Sequence, residues 1–489
     1  MTSDLSVQSL IQHLETVRTH LSCPELQQEL RHVTDGQAVT VTAGLLAVAS
    51  FLEDSVSNPY LGSLFDLATD TPLNQMRHEI ADTYSVMETI PGTTGTTGLN
   101  VPAVMALAAE GQVLGVGRDA HVSVEAGIVL SGARPVYIAP PFNSDYGVLL
   151  PPSVTEVEAF LNAYPEMQAL VLTLPTYTGL QGDVRGIVEL CHNRGVAVMI
   201  DEAHGPHYRF APHGFPPTAE EAQADLITQS THKVLSALNQ GSVVHFNSEP
   251  LFRRYQEMQS LGFVSTSFSY PILLSIGNAI AHAKAKGVRM WTTAARSARR
   301  LREAAARMPG ALVVDESIVD GSRVVGLDPT RVTINIRGAG LNGFYVADRI
   351  LASGGIVEMA TPDLILFLIS PNVTEERIDL TIRALGQILK EGSTTSVPSP
   401  FAPPPLPEQI LTPRQATMRA LRERVDILHS VGRVSAETIA CYPPGQAIVV
   451  AGERITKSIL DYLIRAVDAG AHLKRVCNDG FRTIQVLSY

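Results

Sequence analysis

The spacing of apolar and polar positions changes along the first half of the chain. Residues 1–60 place Leu5, Leu10, Ile11 and Leu14 at helical spacing, which predicts helices. From about residue 85, short and nearly continuous apolar runs recur between helix-like stretches, at 112–117, 134–140, 169–175, 195–201, 225–230 and 242–246. Such runs are typical of parallel strands that are covered by helices on both faces. The pattern therefore predicts a three-layer α/β/α unit.

The second half of the chain predicts smaller units. A long helical stretch covers roughly 271–308, and residues 311–392 alternate strand-like and helix-like runs, as a small α/β domain would. The Pro-rich segment 396–413 can form neither a regular helix nor a central strand, because proline lacks the N–H group. Beyond it we predict a C-terminal α+β unit with a helix over 414–431. The predicted domains are 1–80 (helical), 81–310 (major), 311–395 (small), 396–413 (linker) and 414–489 (C-terminal).

Composition and charge narrow the class of protein. The chain has 489 residues and a formal net charge of −11, which argues against a nucleic-acid partner or an anionic membrane surface. No apolar run is long enough to span a bilayer, and the N-terminus lacks the pattern of a signal peptide. The four cysteines have no metal-binding spacing. We therefore expect a cytoplasmic enzyme that acts on a small molecule and binds no metal.

A Gly/Thr-rich turn lies ahead of a helix-like stretch. The segment "PGTTGTTGLN" (91–100) offers backbone N–H groups, hydroxyls and the positive end of a helix dipole, and this combination binds phosphate. It is not a Walker A motif, because no GK[ST] ends it. The alternative interpretation is a flexible turn with a threonine cap.

A carboxylate ends the apolar run "VMID". Asp201 needs a partner at this position, either a cation of the protein or a cationic nitrogen of a ligand. His204 and His207 follow it, so a zinc site is a weaker alternative that lacks the HExxH spacing.

A lysine follows the next apolar run, in "DLITQSTHKVLSALNQGS". Lys233 can form a Schiff base in a semi-buried pocket, although a lone lysine is more often at the surface. Its combination with the phosphate-type turn and Asp201 supplies the three anchors that pyridoxal 5′-phosphate (PLP) needs. The sequence therefore predicts a PLP enzyme.

Further ordered segments surround these residues. They include "DEAHGPHYRF", "GRDAHVSVEAGIVLSGARPVYI", "LPTYTG", "STSFSYPILLSIGNA", "TPRQA" and "CYPPGQAIVVAGE". Over about 65–489 the chain resembles the Orn/Lys/Arg decarboxylase family of bacterial fold-type-I PLP enzymes, in its short form without an N-terminal wing domain. The resemblance implies an aspartate aminotransferase-like α/β/α major domain, a small α/β domain and an extra C-terminal α+β domain.

The resemblance also implies roles for particular residues. Lys233 matches the Schiff-base lysine, Asp201 the partner of the pyridine nitrogen, and His121 the histidine that stacks on the ring. Thr266 and Ser267 match residues that can reach the cofactor phosphate of a neighbouring subunit, which implies a homodimer or a higher homo-oligomer. The other implied cofactor neighbours are Gly95, Thr96, Thr97, Ala203, His204, Ser230 and His232.

The implied activity is decarboxylation of lysine, arginine or ornithine to an amine and CO2. Lys233 or His232 would return a proton to Cα, and Glu358 or Glu453 would receive the distal cation of the substrate. A structural role for Glu453, at a turn of the C-terminal unit, is an equally good interpretation. The family's "PGHK" segment has no counterpart here. The family's Lys, Asp, Pro and Asp are replaced by Val122, Thr178, Phe268 and Gly277.

These departures leave other outcomes open at this point. Transamination, elimination or oxygen-dependent oxidation of an amino acid would use the same fold. An aminotransferase would need an arginine on the α-carboxylate, and Arg331 or Arg337 could supply it, although surface or structural roles are the more common ones for such arginines. A non-catalytic member would have lost Lys233 or Asp201, and both are present.

Replacement of Lys233 by alanine is expected to abolish turnover, because alanine carries no amine to hold the cofactor. The visible absorbance of the lysine–cofactor Schiff base should disappear with it. Spectra and activity of the purified variant test the assignment, and an unchanged spectrum would remove it.

Overall fold

The computed structural model describes residues 72–261, 268–392, 400–419, 421–442, 445–475 and 481–488. The helices predicted over residues 1–60, and Thr266 and Ser267, lie outside the described residues. The boundaries of the five predicted domains stay predictions.

The first half of the described chain alternates strands and helices. Its strands are β1 (Glu88–Gly92), β2 (Val113–Gly117), β3 (Arg134–Ile138), β4 (Phe142–Asn143), β5 (Val148–Leu149), β6 (Met167–Thr173), β7 (Leu180–Gln181), β8 (Ala197–Asp201), β9 (Leu226–Gln229) and β10 (Ser242–Phe246). Its helices are α1 (Pro72–Tyr84), α2 (Gly95–Leu107), α3 (Val122–Ser131), α4 (Val154–Ala163), α5 (Val184–His192), α6 (Thr231–Val234) and α7 (Glu249–Ser260).

Seven of these strands form the central sheet, in the order β1-β10-β9-β8-β6-β2-β3. Strands β3, β2, β6, β8 and β9 run parallel, and only the β9–β10 and β10–β1 pairs are antiparallel. Because β10 runs against both of its neighbours, β1 has the same direction as the five parallel strands. Six strands therefore end at the same edge of the sheet.

Helices cover both faces of this sheet. Along β6, Ala169 and Val171 pack in a buried cluster with α2, α3 and α7, whereas Leu170 and Leu172 pack in a second cluster with α4 and α5. Successive side chains of a strand point to opposite faces, so a strand that is apolar throughout needs two covering layers. The predicted three-layer α/β/α arrangement is confirmed.

The rest of the chain builds smaller sheets. The elements are α8 (Tyr270–Ala305), β11 (Leu312–Val313), β12 (Gly326–Leu327), β13 (Arg331–Asn335), α9 (Gly343–Ala352), β14 (Met359–Ala360), β15 (Leu364–Leu368), α10 (Glu375–Lys390), α11 (Pro413–Met418), β16 (Arg422–Asp426), β17 (Ile439–Tyr442), β18 (Gln446–Val449), α12 (Lys457–Asp468), β19 (His472–Lys474) and β20 (Thr483–Leu487). Strands β11-β13-β15-β14 form an antiparallel sheet whose core includes α9 and α10. In the described residues no helix is both long and apolar enough to cross a membrane.

The helix predicted over 414–431 is wrong beyond Met418. Helix α11 ends at Met418, and β16 then pairs antiparallel with β20, from Arg422 opposite Leu487 to Asp426 opposite Thr483. The partner strand lies some sixty residues further along the chain. A local pattern does not contain that pairing, so tertiary contacts overrode the helical propensity.

One buried ion pair ties the central sheet to the C-terminal elements. Arg118, just after β2, donates from Nη1 and Nη2 to the two carboxylate oxygens of Glu453, at 2.7 Å each. Their side chains are 5% and 2% exposed, and the backbone N–H of Val450 also donates to Glu453. Glu453 is thus committed to Arg118, which corrects its proposed role as a partner of the substrate cation.

Replacement of Glu453 by glutamine is expected to destabilise the protein by about 3–5 kcal/mol, because Arg118 would be left as an uncompensated buried charge. Urea-induced unfolding measures the change. Glu408→Gln is the control, since Glu408 is 68% exposed in its ion pair with Arg454 and exposed pairs contribute about 0–1 kcal/mol. Equal shifts in the two variants would contradict the assignment.

Two further carboxyl groups are buried together beside β8. Glu202 accepts from Nε2 of Gln229 at 2.6 Å and from the Ala219 N–H at 3.1 Å. Burial raises the pKa of Glu202 well above its ordinary value, and the charge of Glu220 adds to this. Burial also raises the pKa of Glu220, to about 7. The folded chain therefore holds protons that the unfolded chain has already released.

Stability should therefore fall as pH rises from about 4.5 to 7, because in this window the folded chain binds more protons than the unfolded chain. Glu220→Gln removes one of these groups. We expect the variant to match wild type at pH 5 and to unfold at a higher temperature than wild type at pH 8. Glu166→Gln, at a half-exposed position away from this pair, should keep the wild-type dependence. The measurement is the unfolding temperature of each variant between pH 5 and pH 8. If the unfolding temperature of Glu220→Gln falls with pH as steeply as that of wild type, the assignment of this buried pair is wrong.

Candidate active site

A cavity of about 430 Å³ opens at the carboxyl edge of the central sheet. Asp119, Thr173, Asp201 and Lys233, which end or follow the parallel strands β2, β6, β8 and β9, line it. The small sheet and the C-terminal elements close its other side. Ligands bind at this edge in open α/β sheets, because several strand ends can present side chains to one place.

Asp201 lies in this cavity with neutral hydrogen-bond partners. Its Oδ2 accepts from Nδ2 of Asn100 at 3.0 Å, and its Oδ1 accepts from the Ala203 N–H at 3.2 Å. Asn100 is held in turn by Thr228, whose hydroxyl donates to its Oδ1 at 2.9 Å. Asp201 is 3% exposed, and it forms no ion pair with a described lysine, arginine or histidine. Such a carboxylate suits a cationic nitrogen of a ligand.

The Gly/Thr turn is the start of a helix. Helix α2 begins at Gly95, which has a φ of +68°, and not at Val101 as the sequence had indicated. The N-cap residue Thr94 makes no side-chain capping hydrogen bond. Thr96 and Thr97 therefore lie in the first helical turn, where N–H groups lack partners within the helix. The Thr96 hydroxyl lies 2.8 Å from that of Ser230. The arrangement suits a phosphate group.

Lys233 lies in the short helix α6 and reaches into the cavity. Its Nζ is 3.0 Å from Nε2 of His204. Although the side chain is open to the cavity, protein atoms surround it closely enough for desolvation to lower its pKa; Asp201 opposes this shift and Arg331 adds to it. Desolvation also lowers the pKa of His204 well below its ordinary value, and the charge of Lys233 contributes. Both groups are thus biased toward their neutral forms.

Two more predicted histidines line the cavity. His121 caps α3, with Nδ1 accepting from the Ser123 N–H at 3.2 Å. His232 has its Nδ1 2.7 Å from the Gly241 carbonyl, so Nδ1–H donates and Nε2 is left without a proton in the neutral ring. Desolvation lowers the pKa of each. Nine of the twelve predicted site residues line the cavity, and Ser230 is buried next to one of them, Thr96. Thr266 and Ser267 are outside the described residues, and the proposed roles of all twelve stay predictions.

The structure adds residues that the sequence reasoning missed. Asp119 is a second carboxylate of the cavity, and burial raises its pKa to about 6, with the charge of Asp201 contributing. A signal existed, since Asp119 follows the end of β2 as Asp201 ends β8. Asp363, Phe401 and Tyr462 also line the cavity, from far along the chain. No local motif could have brought them in.

Three of the four departures from the family motifs, Thr178, Gly277 and Phe268, lie in different surroundings. Thr178 lines the cavity, and its hydroxyl lies 3.1 Å from that of Thr176. Gly277 lines a separate groove between α1 and α8, where an added Cβ would come within 2.6 Å of the Met76 sulfur. Phe268 is buried in the neighbouring cluster. Of these three residues only Thr178 can touch a ligand of the cavity.

The two arginines considered as carboxylate clamps do not line the cavity among the described residues. Arg331 donates to the Tyr177 carbonyl at 2.7 Å and to Nδ1 of His204 at 2.9 Å. Arg337 donates to the Ser144 carbonyl, and its Nη1 lies 3.8 Å from Oδ2 of Asp363. These contacts disfavour an aminotransferase that uses either one. No group of three potential metal ligands occurs in the part of the chain that the structure describes.

Known proteins match both the sequence and the fold. The model of the Orn/Lys/Arg decarboxylase major domain matches residues 48–377, and that of the Orn/Lys/Arg decarboxylase C-terminal domain matches residues 399–473. An arginine decarboxylase of Halalkalibacterium halodurans is 32% identical over an alignment 451 residues long, which covers 90% of this chain and 91% of that protein. An arginine decarboxylase of Bacillus subtilis is 29% identical and covers 81% of this chain and 82% of its own length.

Solved structures agree on the fold. The Escherichia coli constitutive lysine decarboxylase has a TM-score of 0.73 and 23% identity, covering 98% of this chain and 82% of that chain. A serine palmitoyltransferase of Sphingomonas wittichii has a TM-score of 0.52 and 16% identity, covering 72% and 84%. The predicted fold-type-I PLP architecture is confirmed.

Proposed function

The chain belongs to the Orn/Lys/Arg decarboxylase family, and from this membership we propose that it converts arginine to CO2 and the corresponding amine. It is an amino acid decarboxylase that uses PLP. The choice of arginine as the substrate goes beyond what the family membership shows. It is supported by the two relatives described as arginine decarboxylases, which are 32% and 29% identical to this chain.

One observation carries the proposal: three binding features for PLP converge on a single cavity. The uncapped start of α2, with Thr96, Thr97 and Ser230, would hold the phosphate. Asp201, with only neutral donors on its oxygens, would hold the protonated pyridine nitrogen. Lys233 would hold the aldehyde carbon. The residues present therefore fit the cofactor.

Bound PLP supplies an electron sink for the pair that is released when the substrate loses CO2. Asp201 stabilises the positive charge that makes the ring a sink, and this electrostatic contribution is the largest that we assign to one residue. His121 lines the cavity and would pack against the ring of the bound cofactor, as the family resemblance implies. Asn100 keeps Asp201 oriented through its 3.0 Å hydrogen bond.

A proton must return to Cα after CO2 leaves. Lys233 and His232 are the candidates, since both line the cavity. The lowered pKa of Lys233 allows it to take up and release a proton more readily than an ordinary lysine. The neutral ring of His232 carries its proton on Nδ1 and donates it to the Gly241 carbonyl, so it has no proton to give to the substrate. We therefore assign the transfer to Lys233.

The distal cation of the substrate needs a carboxylate. Asp363 lines the cavity and accepts from the Phe401 N–H at 2.6 Å. Burial raises its pKa although the charges of Arg337 and Arg465 oppose the shift, so a further cation would be favourable beside it. Phe401 and Tyr462 also line the cavity, with ring centroids 4.4 Å apart, and the Arg465 guanidinium lies 5.2 Å from the Phe401 ring centroid. We propose that the guanidinium of the substrate would stack on the same aromatic pair. Glu358, which accepts from the Tyr177 hydroxyl at 3.0 Å, is the second candidate.

Two other parts of the proposal come from the sequence: the subunit arrangement is implied by the family resemblance, and the location is expected from the composition and the N-terminus. A homodimer would allow Thr266 and Ser267 to reach the cofactor phosphate of the neighbouring subunit. A cytoplasmic location agrees with the absence of a membrane-spanning helix in the described residues.

The test is incubation of the holoenzyme with arginine, lysine and ornithine, in air and without oxygen. We expect CO2 and agmatine from arginine, independent of oxygen, with kcat/KM at least about tenfold above the other two substrates, because a site shaped for one polar group rejects its analogues. Asp363→Asn should raise KM for arginine about tenfold or more, with kcat little changed. Mass spectrometry identifies the products.

Glu391→Gln is the control for Asp363→Asn, because Glu391 forms a half-exposed ion pair with Arg349 away from the cavity. A keto acid or peroxide as the main product would reject decarboxylation. Faster turnover of lysine or ornithine would reject arginine alone.

A further inference from the structure

A continuous path of hydrogen bonds joins Arg331, at the start of β13, to Lys233. Nη2 of Arg331 lies 2.9 Å from Nδ1 of His204, and Nε2 of His204 lies 3.0 Å from Nζ of Lys233. Arg331 is 1% exposed and His204 is 7% exposed, so water competes poorly for the first of these bonds. The His204 imidazole thus connects Arg331 of the small sheet to Lys233, which follows β9 of the central sheet.

The donors and acceptors of these groups fix the positions of the protons. A guanidinium has only donors, so Nδ1 of His204 must accept and carries no proton. A neutral imidazole then carries its proton on Nε2, which donates to Nζ of Lys233. An ammonium group has no lone pair with which to accept. The arrangement therefore requires a neutral amine at Lys233.

Contacts outside the cavity hold Arg331 in place. Its Nη1 donates to the Tyr177 carbonyl at 2.7 Å, and its Nε lies 3.4 Å from Oδ2 of Asp328. Asp328 is fully buried and accepts from both the N–H and the hydroxyl of Thr330. The guanidinium is therefore fixed before any ligand enters, and it imposes the orientation of the His204 ring.

We propose that Arg331 is a positioning residue for the cofactor lysine: through His204 it keeps Lys233 as a neutral amine, ready to bond to the aldehyde carbon of PLP. The inference rests on the proposed role of Lys233. Only a neutral amine has the lone pair that forms the C–N bond, and the aldehyde oxygen leaves as water. Arg331 thus acts on the lysine and not on the substrate carboxylate.

Other charged and titratable groups also face Lys233. Asp201 and Glu358 favour its protonated form, whereas desolvation and Arg331 oppose it, and the net effect is a lowered pKa. The histidines around it are His121, His204 and His232, and desolvation is the main cause of the lowered pKa of each. Loss of Arg331 removes one of the two contributions that lower the pKa of Lys233, while desolvation remains. The pKa of Lys233 should therefore rise, and a larger fraction of the amine should be protonated at pH 7.

The test measures how fast the full chain, stripped of cofactor, captures PLP at Lys233 between pH 6.5 and pH 10. Capture is followed by visible absorbance, and the attachment site is identified by borohydride reduction and peptide mass spectrometry. We expect the rate of Arg331→Met, divided by that of wild type, to be near 1 at pH 10 and to fall about tenfold or more at pH 7. The neutral fraction of an amine falls about tenfold for each pH unit below its pKa.

Two further variants separate positioning from a general structural role. Arg302→Met removes another buried arginine, which donates to the Arg331 carbonyl at 2.8 Å without any hydrogen bond to His204 in the described residues. Its rate ratio should not change with pH, even if the variant is less stable. His204→Phe removes the Nε2 donor and should shift the profile as Arg331→Met does. The double variant should resemble either single one, because both act through the same bond.

The outcomes distinguish this inference from the proposed function. Failure of the wild-type chain to attach PLP at Lys233 would reject the proposed role of the lysine. Attachment at Lys233 with a flat ratio for Arg331→Met, or with additive effects in the double variant, would overturn the role of Arg331 alone. Should Arg331→Met fail to fold, a flat ratio for His204→Phe would overturn it equally.

Discussion

The parallel pairing of β8 with β9 is the constraint on which the rest of the site depends. Its register places Asp201 opposite Thr228, so both strands end at the same level of the sheet. Lys233, a few residues after β9, then enters the cavity that Asp201 lines. Thr228 also holds Asn100, which orients Asp201. A shift of one residue in this pairing would turn every side chain of one strand to the opposite face and separate the two groups.

Charge at the edge of the sheet is arranged in two different ways. Asp201 is surrounded by neutral donors and has no cationic partner among the described residues, which leaves its charge available for a ligand. Lys233 contacts an imidazole whose proton is placed by Arg331. Both arrangements prepare a group before the ligand arrives. Preorganisation of this kind is effective because no reorientation is needed during the reaction.

Local sequence patterns predicted those elements whose conformation depends mainly on neighbouring residues in the chain. The apolar runs predicted the strands of the central sheet, since a strand that is buried on both faces is apolar along its whole length. The predictions that failed involved distant partners. Glu453 carried no local sign of Arg118, which lies 335 residues away, and β16 forms only because β20 pairs with it. Gly277, a departure from the family motif, proved to accommodate Met76 and does not line the cavity.

The sequence by itself determined the fold class, the family and the group of residues that would gather at one edge, because strand periodicity and ordered motifs are properties of short segments. Only the tertiary structure decided what those residues contact. Asp363, Phe401 and Tyr462 enter the cavity from separate parts of the chain, and Arg331 turns to His204 and away from the cavity. Hydrogen bonds and burial depend on distances between side chains, and a linear sequence specifies those distances only after the chain has folded.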